Sequence, residues 1–200
     1  MMLIELTTVP NIALPVTDFR EHLRLGSGFA DDGLQNSVLE SFLKAAISAI
    51  EGRTGKALLQ RQFLWSISAW RDGAVQVLPI APVVSLISLK VLDRTGAETV
   101  VPVDQYRLVK DGQRPKLVAT SLVLPTIPFA GSAEMTFEAG FGATWDDLPA
   151  DLGQAVMLLA AHYYDNRNAV SENGAIGIPF GVGALIERYR SLSVTLGGGR

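Results

Sequence analysis

The sequence predicts an α+β protein: a helical bundle core from N- and C-terminal helices, with a small, mostly antiparallel β-sheet inserted between them. Three observations carry this expectation. Apolar residues recur at helical spacing over residues 34–53 and again over 152–166. Between about residues 62 and 138 the period is two. Six prolines, Pro79, Pro82, Pro102, Pro115, Pro125 and Pro128, punctuate that middle stretch and predict short or edge strands. The expected organisation is a single domain over 1–200. N-terminal helices lie in 14–55, the β insertion in 60–142, C-terminal helices in 148–190 and a flexible tail in 191–200.

The first helix is short, because Thr17 or Asp18 stands where an N-cap belongs and Gly26 where a helix stops. Asp31 and Asp32 then precede a long helix from about Leu34 to Arg53, closed by Gly55. On it Leu34, Val38, Phe42, Ala45 and Ala49 form one apolar stripe, and Leu39, Leu43, Ala46, Ile47 and Ile50 a second. So wide an arc suits a helix with neighbours on two sides. In the β region Asp93-Arg94-Thr95-Gly96 supplies hairpin chemistry before a strand over 99–103. Strict alternation in Ala133-Glu134-Met135-Thr136-Phe137-Glu138 predicts a strand with one buried and one wet face. Asp146, Asp147 and Pro149 mark the start of a helix reaching about Asn166, on which Leu152, Val156, Leu159 and Tyr163 recur. A Gly- and Asn-rich loop over 169–181 leads to a last helix over 183–190. The glycine triplet 197–199 predicts a flexible tip to the tail that follows.

Composition narrows the function. Charged residues make up 18% of the 200 positions, against roughly 25% for an average soluble domain, while 48% are hydrophobic. Mean hydropathy is +0.26. Such a surface points to self-assembly or to other partners. A net charge of -3 and a pI near 5.4 argue against a protein built to grip nucleic-acid phosphates. The absence of cysteine removes disulfides, thiol catalysis and cysteine-held metals. The N-terminus, Met1-Met2-Leu3-Ile4-Glu5, lacks a basic region and is a poor export signal. The uncharged helical run 152–164 is too short to span a bilayer, so a soluble protein is expected.

Each candidate for chemistry has an ordinary structural reading that outweighs it. His162 and Asp165, three apart on one helix, have the spacing of an oriented imidazole, but no third ligand stands at metal spacing and a helix-surface pair explains them. The pairs Asp31-Asp32 and Asp146-Asp147 offer paired carboxylates, and both fall at helix N-termini, where they meet free N–H groups. The glycines at 174, 177, 181 and 183 match no phosphate loop. Gly26-Ser27-Gly28 is not a nucleophile elbow. Trp65, Trp70, Tyr106, Phe137, Phe141 and Trp145 read as sheet core rather than as a base-stacking platform. What survives is Arg188-Tyr189-Arg190 followed by Leu192, Val194 and Leu196 alternating with Ser193 and Thr195, the pattern of a strand with one adhesive face. It serves either as a terminal strand of the protein's own sheet or as a docking element.

Five pieces in order then resemble the head-tail connector, or adaptor, proteins of tailed phages and gene transfer agents. They are Leu14-Pro15-Val16 leading to His22-Leu23-Arg24; Asp31-Asp32 opening a helix that ends Ile50-Glu51-Gly52-Arg53-Thr54-Gly55-Lys56-Ala57-Leu58; Phe137-Glu138-Ala139-Gly140-Phe141-Gly142; Leu148-Pro149-Ala150-Asp151-Leu152 into Ala161-His162-Tyr163-Tyr164-Asp165-Asn166-Arg167; and Ile178-Pro179-Phe180-Gly181-Val182. The resemblance spans nearly the whole chain. It implies a virion protein of the neck, made in the bacterial cytoplasm and assembled as a dodecameric ring beneath the portal. DNA would pass through the bore, and a stopper or tail-completion protein would sit at the far end. It implies no enzyme activity, cofactor, metal or membrane.

Carried onto this chain, the portal-docking element is Leu185, Arg188, Tyr189, Arg190, Leu192, Val194 and Leu196. Leu34, Val38, Phe42, His162, Tyr163, Tyr164 and Arg167 are read as subunit or bundle packing. The alternatives are a stopper or tail-completion ring, a small hydrolase using His162 with Asp165, and a DNA-binding factor, which the charge balance opposes.

Overall fold

The structure, a computed structural model, describes residues 1–25, 34–167 and 178–190. Its elements run β1 (Met2–Glu5), α1 (Val16–His22), α2 (Leu34–Thr54), β2 (Arg61–Ile67), β3 (Val75–Val77), β4 (Val83–Leu92), β5 (Glu98–Val100), β6 (Tyr106–Val109), β7 (Lys116–Ala119), β8 (Ser132–Ala139), α3 (Ala150–Asp165) and α4 (Phe180–Ile186). Short 3-10 turns add Asn11–Ala13, Val103–Gln105, Trp145–Asp147 and Glu187–Tyr189. No helix among the described residues is long and apolar enough to cross a membrane.

The expected helical bundle core with a small inserted sheet is overturned. Four α-helices share the described residues with eight strands in two antiparallel sheets, ordered β1-β2-β8-β4-β5 and β3-β7-β6. The two sheets enclose an apolar core of their own, built from Phe63, Trp65, Leu89, Leu117, Met135 and Phe137 among others. It rivals the helical core of Phe19, Leu43, Ile50, Leu152, Val156 and Ile186. All six prolines lie outside strands, Pro82 and Pro115 directly before β4 and β7, and the short or edge strands they predict are present, β3 and β5 having 3 residues and β6 and β7 having 4; the expectation failed on the number of strands and on their pairing into two sheets. β4 is 10 residues long, its register shifting between Val83 and Ser85 and between Leu86 and Ser88. The N-terminus, read only as a poor export signal, forms β1 on the edge of the larger sheet, paired with β2 from Met2↔Ser66 to Glu5↔Phe63.

Other elements follow their sequence signals. Along β8 burial alternates strictly, with Ala133, Met135, Phe137 and Ala139 inside. In the hairpin, Asp93 Oδ1 accepts from Thr95 N at 2.7 Å and Ala97 N at 2.9 Å, and Gly96 takes φ 85°. Gly55 (φ 67°) closes α2, with its N–H on Glu51 O at 2.8 Å. α1 begins after Pro15 rather than at Thr17 or Asp18. Asp147 caps its 3-10 turn, accepting from Thr144 N at 2.9 Å and Thr144 Oγ1 at 2.8 Å. Asp31, Asp32, Gly26, Gly174 and the tail 191–200 lie outside the described residues.

The helical layer sits at one end of the sheets. The joint is Gly140, whose φ of 143° and closeness to Gln60 (2.4 Å from an added Cβ to Cα) leave no room for a side chain. Across the joint, Arg61 on β2 ion-pairs with Glu51 of α2 at 2.6 Å and Glu5 of β1 at 2.8 Å. Burial works against that charge, yet the bonds and attraction from Glu51 and Glu5 outweigh it and hold the guanidinium above its ordinary value. The far end of the sheets, about 23 Å away along β8, carries the β7–β8 loop. This loop is braced by Trp70 Nε1 donating to Pro125 O at 2.7 Å and Leu124 N to Gly73 O at 2.7 Å. Its Leu122 and Phe129 stand almost fully exposed.

Candidate functional site

Burial on α2 separates the two sequence stripes. Leu39, Leu43, Ala46, Ile47 and Ile50 face the helical core, whereas Val38 is 46% exposed, Ala45 is exposed and Phe42 half-buried. The first stripe therefore runs along the rim of the helical core, with Phe42 and Ala49 half-buried against it and Val38 and Ala45 exposed. There it meets the end of α3: Phe42 packs edge-on to Tyr164 with ring centroids 5.8 Å apart, and the Arg167 guanidinium lies 4.8 Å above the Tyr164 ring. Val38, Tyr164, Arg167 and Leu25 border a shallow cleft of about 310 Å³. Of the packing residues named from sequence, the structure thus brings Val38, Phe42, Tyr164 and Arg167 together. Leu34 opens α2. Tyr163 packs half-buried against the helical core. His162 turns to Asn166, whose Nδ2 lies 3.1 Å from its Nδ1, and Asp165 takes no part. No group of three or more His, Cys, Asp or Glu side chains is placed to hold a metal among the described residues.

The C-terminal element is fastened inward. Val182, Ile186 and Tyr189 are buried in the helical core, with Leu185 half-buried beside them. Tyr189 meets Phe141 edge-on at 6.2 Å and its hydroxyl donates to Asp151 Oδ1 at 2.7 Å. Burial, with help from Asp151, pushes the phenol above its usual range. Arg188 donates to the same hydroxyl, stacks on the Tyr189 ring at 4.7 Å and ion-pairs with Asp151 Oδ2 at 2.8 Å. Tyr189 is thus an internal anchor, Arg188 is half engaged, and Arg190 is exposed with Glu187 at 3.0 Å. Leu192, Val194 and Leu196 lie outside the described residues. Sequence reasoning missed Asp151 because it stood only as one residue of the stretch leading into α3, and its partners Arg188 and Tyr189 lie far along the chain. It missed Lys56 and Arg61 because their partners lie on other elements, beyond any local spacing rule.

No protein-family model matches the chain, and no curated protein does. Solved structures do. A chain in the neck of an empty gene transfer agent particle, computed with C6 symmetry, is 53% identical, with 100% of each chain covered and a TM-score of 0.88. The chain belongs to the head-tail connector family of tailed phages and gene transfer agents. A second chain, from the virion of a native gene transfer agent particle, is 53% identical at TM-score 0.85, covering 98% of this chain and 99% of that one. A third, from the neck of a native particle computed with C12 symmetry, is 50% identical over 100% of both chains, at TM-score 0.83. The connector fold therefore includes both sheets as well as the helices.

Proposed function

We propose that this chain is a structural protein of the virion neck, forming the adaptor ring between the capsid portal and the tail or stopper, with DNA passing through the bore. The observation that carries the reading is full-length identity of 50–53% to chains of gene transfer agent necks whose structures have C6 and C12 symmetry. A cyclic ring needs two unlike surfaces on each subunit, one meeting the other on the neighbour. The stripe of α2 with Val38 and Phe42, continued by Tyr164 and Arg167, supplies one of them. Twelve copies placed side by side would hold the ring through many weak contacts in parallel.

The C-terminal element supplies the portal contact in this reading, with Leu185, Arg188 and Arg190 at its base, Tyr189 fixing that base, and Leu192, Val194 and Leu196 following. The exposed Leu122 and Phe129, at the opposite end of the sheets, face the stopper or tail-completion ring. The role is assembly, not catalysis. Truncation after Arg190 keeps Tyr189 and tests the portal contact. Electron microscopy of particles carrying this variant should show heads without attached tails, and normally joined particles would overturn the assignment.

A further inference from the structure

Lys56 is 2% exposed although it carries an amine. Its Nζ reaches the tip of the β6–β7 hairpin, donating to Gly112 O at 2.7 Å and lying 3.5 Å from Gln113 O. The tip is itself stiff: Asp111 Oδ1 accepts from Gln113 N at 2.7 Å and Arg114 N at 2.9 Å. From it Gln113 Nε2 donates to Arg188 O at 3.3 Å. Asp151 holds the same residue from the other side, through Arg188 and Tyr189. The base of the C-terminal element is therefore gripped between α3 and a hairpin belonging to the smaller sheet. The backbone leaves it extended, Arg190 having φ −68° and ψ 127°. Arg114, Gln113 and Arg190 line one cleft with Thr54 and Gly55 from the end of α2.

We infer that Lys56 and Gln113 are positioning residues for the C-terminal element: Lys56 fixes the hairpin tip, and the tip, through Gln113, fixes the course of the backbone at Arg188–Arg190. An apolar side chain would fill the Lys56 site without linking the two cores to the hairpin. The chain of bonds gives this buried amine a use beyond packing. The inference deepens the proposed portal contact and rests on it only for its consequence.

Hydrogen exchange read by mass spectrometry on the purified chain tests it without any partner. Lys56→Met should exchange about tenfold faster both in 110–116 and in 187–190, the effect of losing roughly one hydrogen bond's worth of local stability. Gln113→Ala should speed 187–190 alone. Unchanged 187–190 in Gln113→Ala overturns the inference, even if Lys56→Met fails to fold. Faster exchange confined to 110–116 in Lys56→Met reduces Lys56 to a local prop and also overturns it. Both variants are then titrated with the portal protein of the same gene cluster. Weaker binding that parallels the exchange supports the inference, whereas full affinity despite loosened 187–190 would count against the portal contact and leave the positioning itself standing.

Discussion

Replacing Arg61 by Met removes a side chain that touches β1, α2 and the turn before β2 together. The guanidinium gives Nη1 to Glu51 Oε1 at 2.9 Å and to Leu59 O at 3.1 Å and Nη2 to Glu51 Oε2 at 2.6 Å, and it ion-pairs with Glu5, whose Oε1 lies 2.8 Å from Nε. Its side chain is 6% exposed and that of Glu51 13%, so water screens little of the attraction. Breaking a buried pair by removing one partner costs about 3–5 kcal/mol, because the other charge is left buried without compensation. With a urea m-value of roughly 2–3 kcal/mol/M for a chain of this size, the unfolding midpoint should fall by about 1–2.5 M. Glu51→Gln keeps the oxygen that accepts Leu58 N–H at 2.7 Å. In the double variant the stranded charge is gone, and about 2 kcal/mol of the loss should return as coupling. The assay is equilibrium urea unfolding of the four proteins in the cycle. A single-variant cost below about 1 kcal/mol, or a double variant no better than Arg61→Met, would refute the claim that Glu51 depends on Arg61.

Phe137→Ala, at a fully buried position between the sheets, should cost about 3–5 kcal/mol in the same assay; a loss below about 1 kcal/mol would show that the sheets do not share a tight core. Val38→Asp should leave the melting temperature of the isolated chain within a degree or two, the effect of about 0.5 kcal/mol at an exposed site, and abolish ring formation seen by native mass spectrometry. A ring that forms normally would move the subunit contact elsewhere. Asp147, held below the usual carboxylate range by the Thr144 N–H and hydroxyl, stabilises the fold above its unfolded pKa. That contribution fades as pH falls through the lower folded value. An NMR titration should find its midpoint under about 3.9 and see it rise in Thr144→Ala; an unshifted carboxyl would contradict the cap.

Local chemistry was legible in the sequence and long-range pairing was not. Gly55, Asp93-Arg94-Thr95-Gly96, the alternation through Met135 and Phe137 and the inner stripe of α2 each act over a few residues, and each is found where its residues predicted it. β1 carries apolar residues on both faces, so it shows no alternation, and its partner β2 lies some sixty residues on. The size of the β region was hidden for a related reason: the short strands between the prolines form two sheets only through partners distant in sequence, such as β3 with β7 and β2 with β8. The candidate surfaces divided in the same way. The stripe with Val38 and Phe42 was visible as the first of two apolar arcs on α2. That Tyr189 is an inward fastener was not, because its partner Asp151 is 38 residues away.

The proposal that this connector joins the portal through its C-terminal element is tested most directly by sedimentation velocity of the full chain mixed with the portal protein of its own gene cluster. The account predicts co-sedimentation as a large complex, lost on truncation after Arg190 while the truncated chain stays folded. Absence of a complex with the full chain, or a complex that survives the truncation, would contradict it.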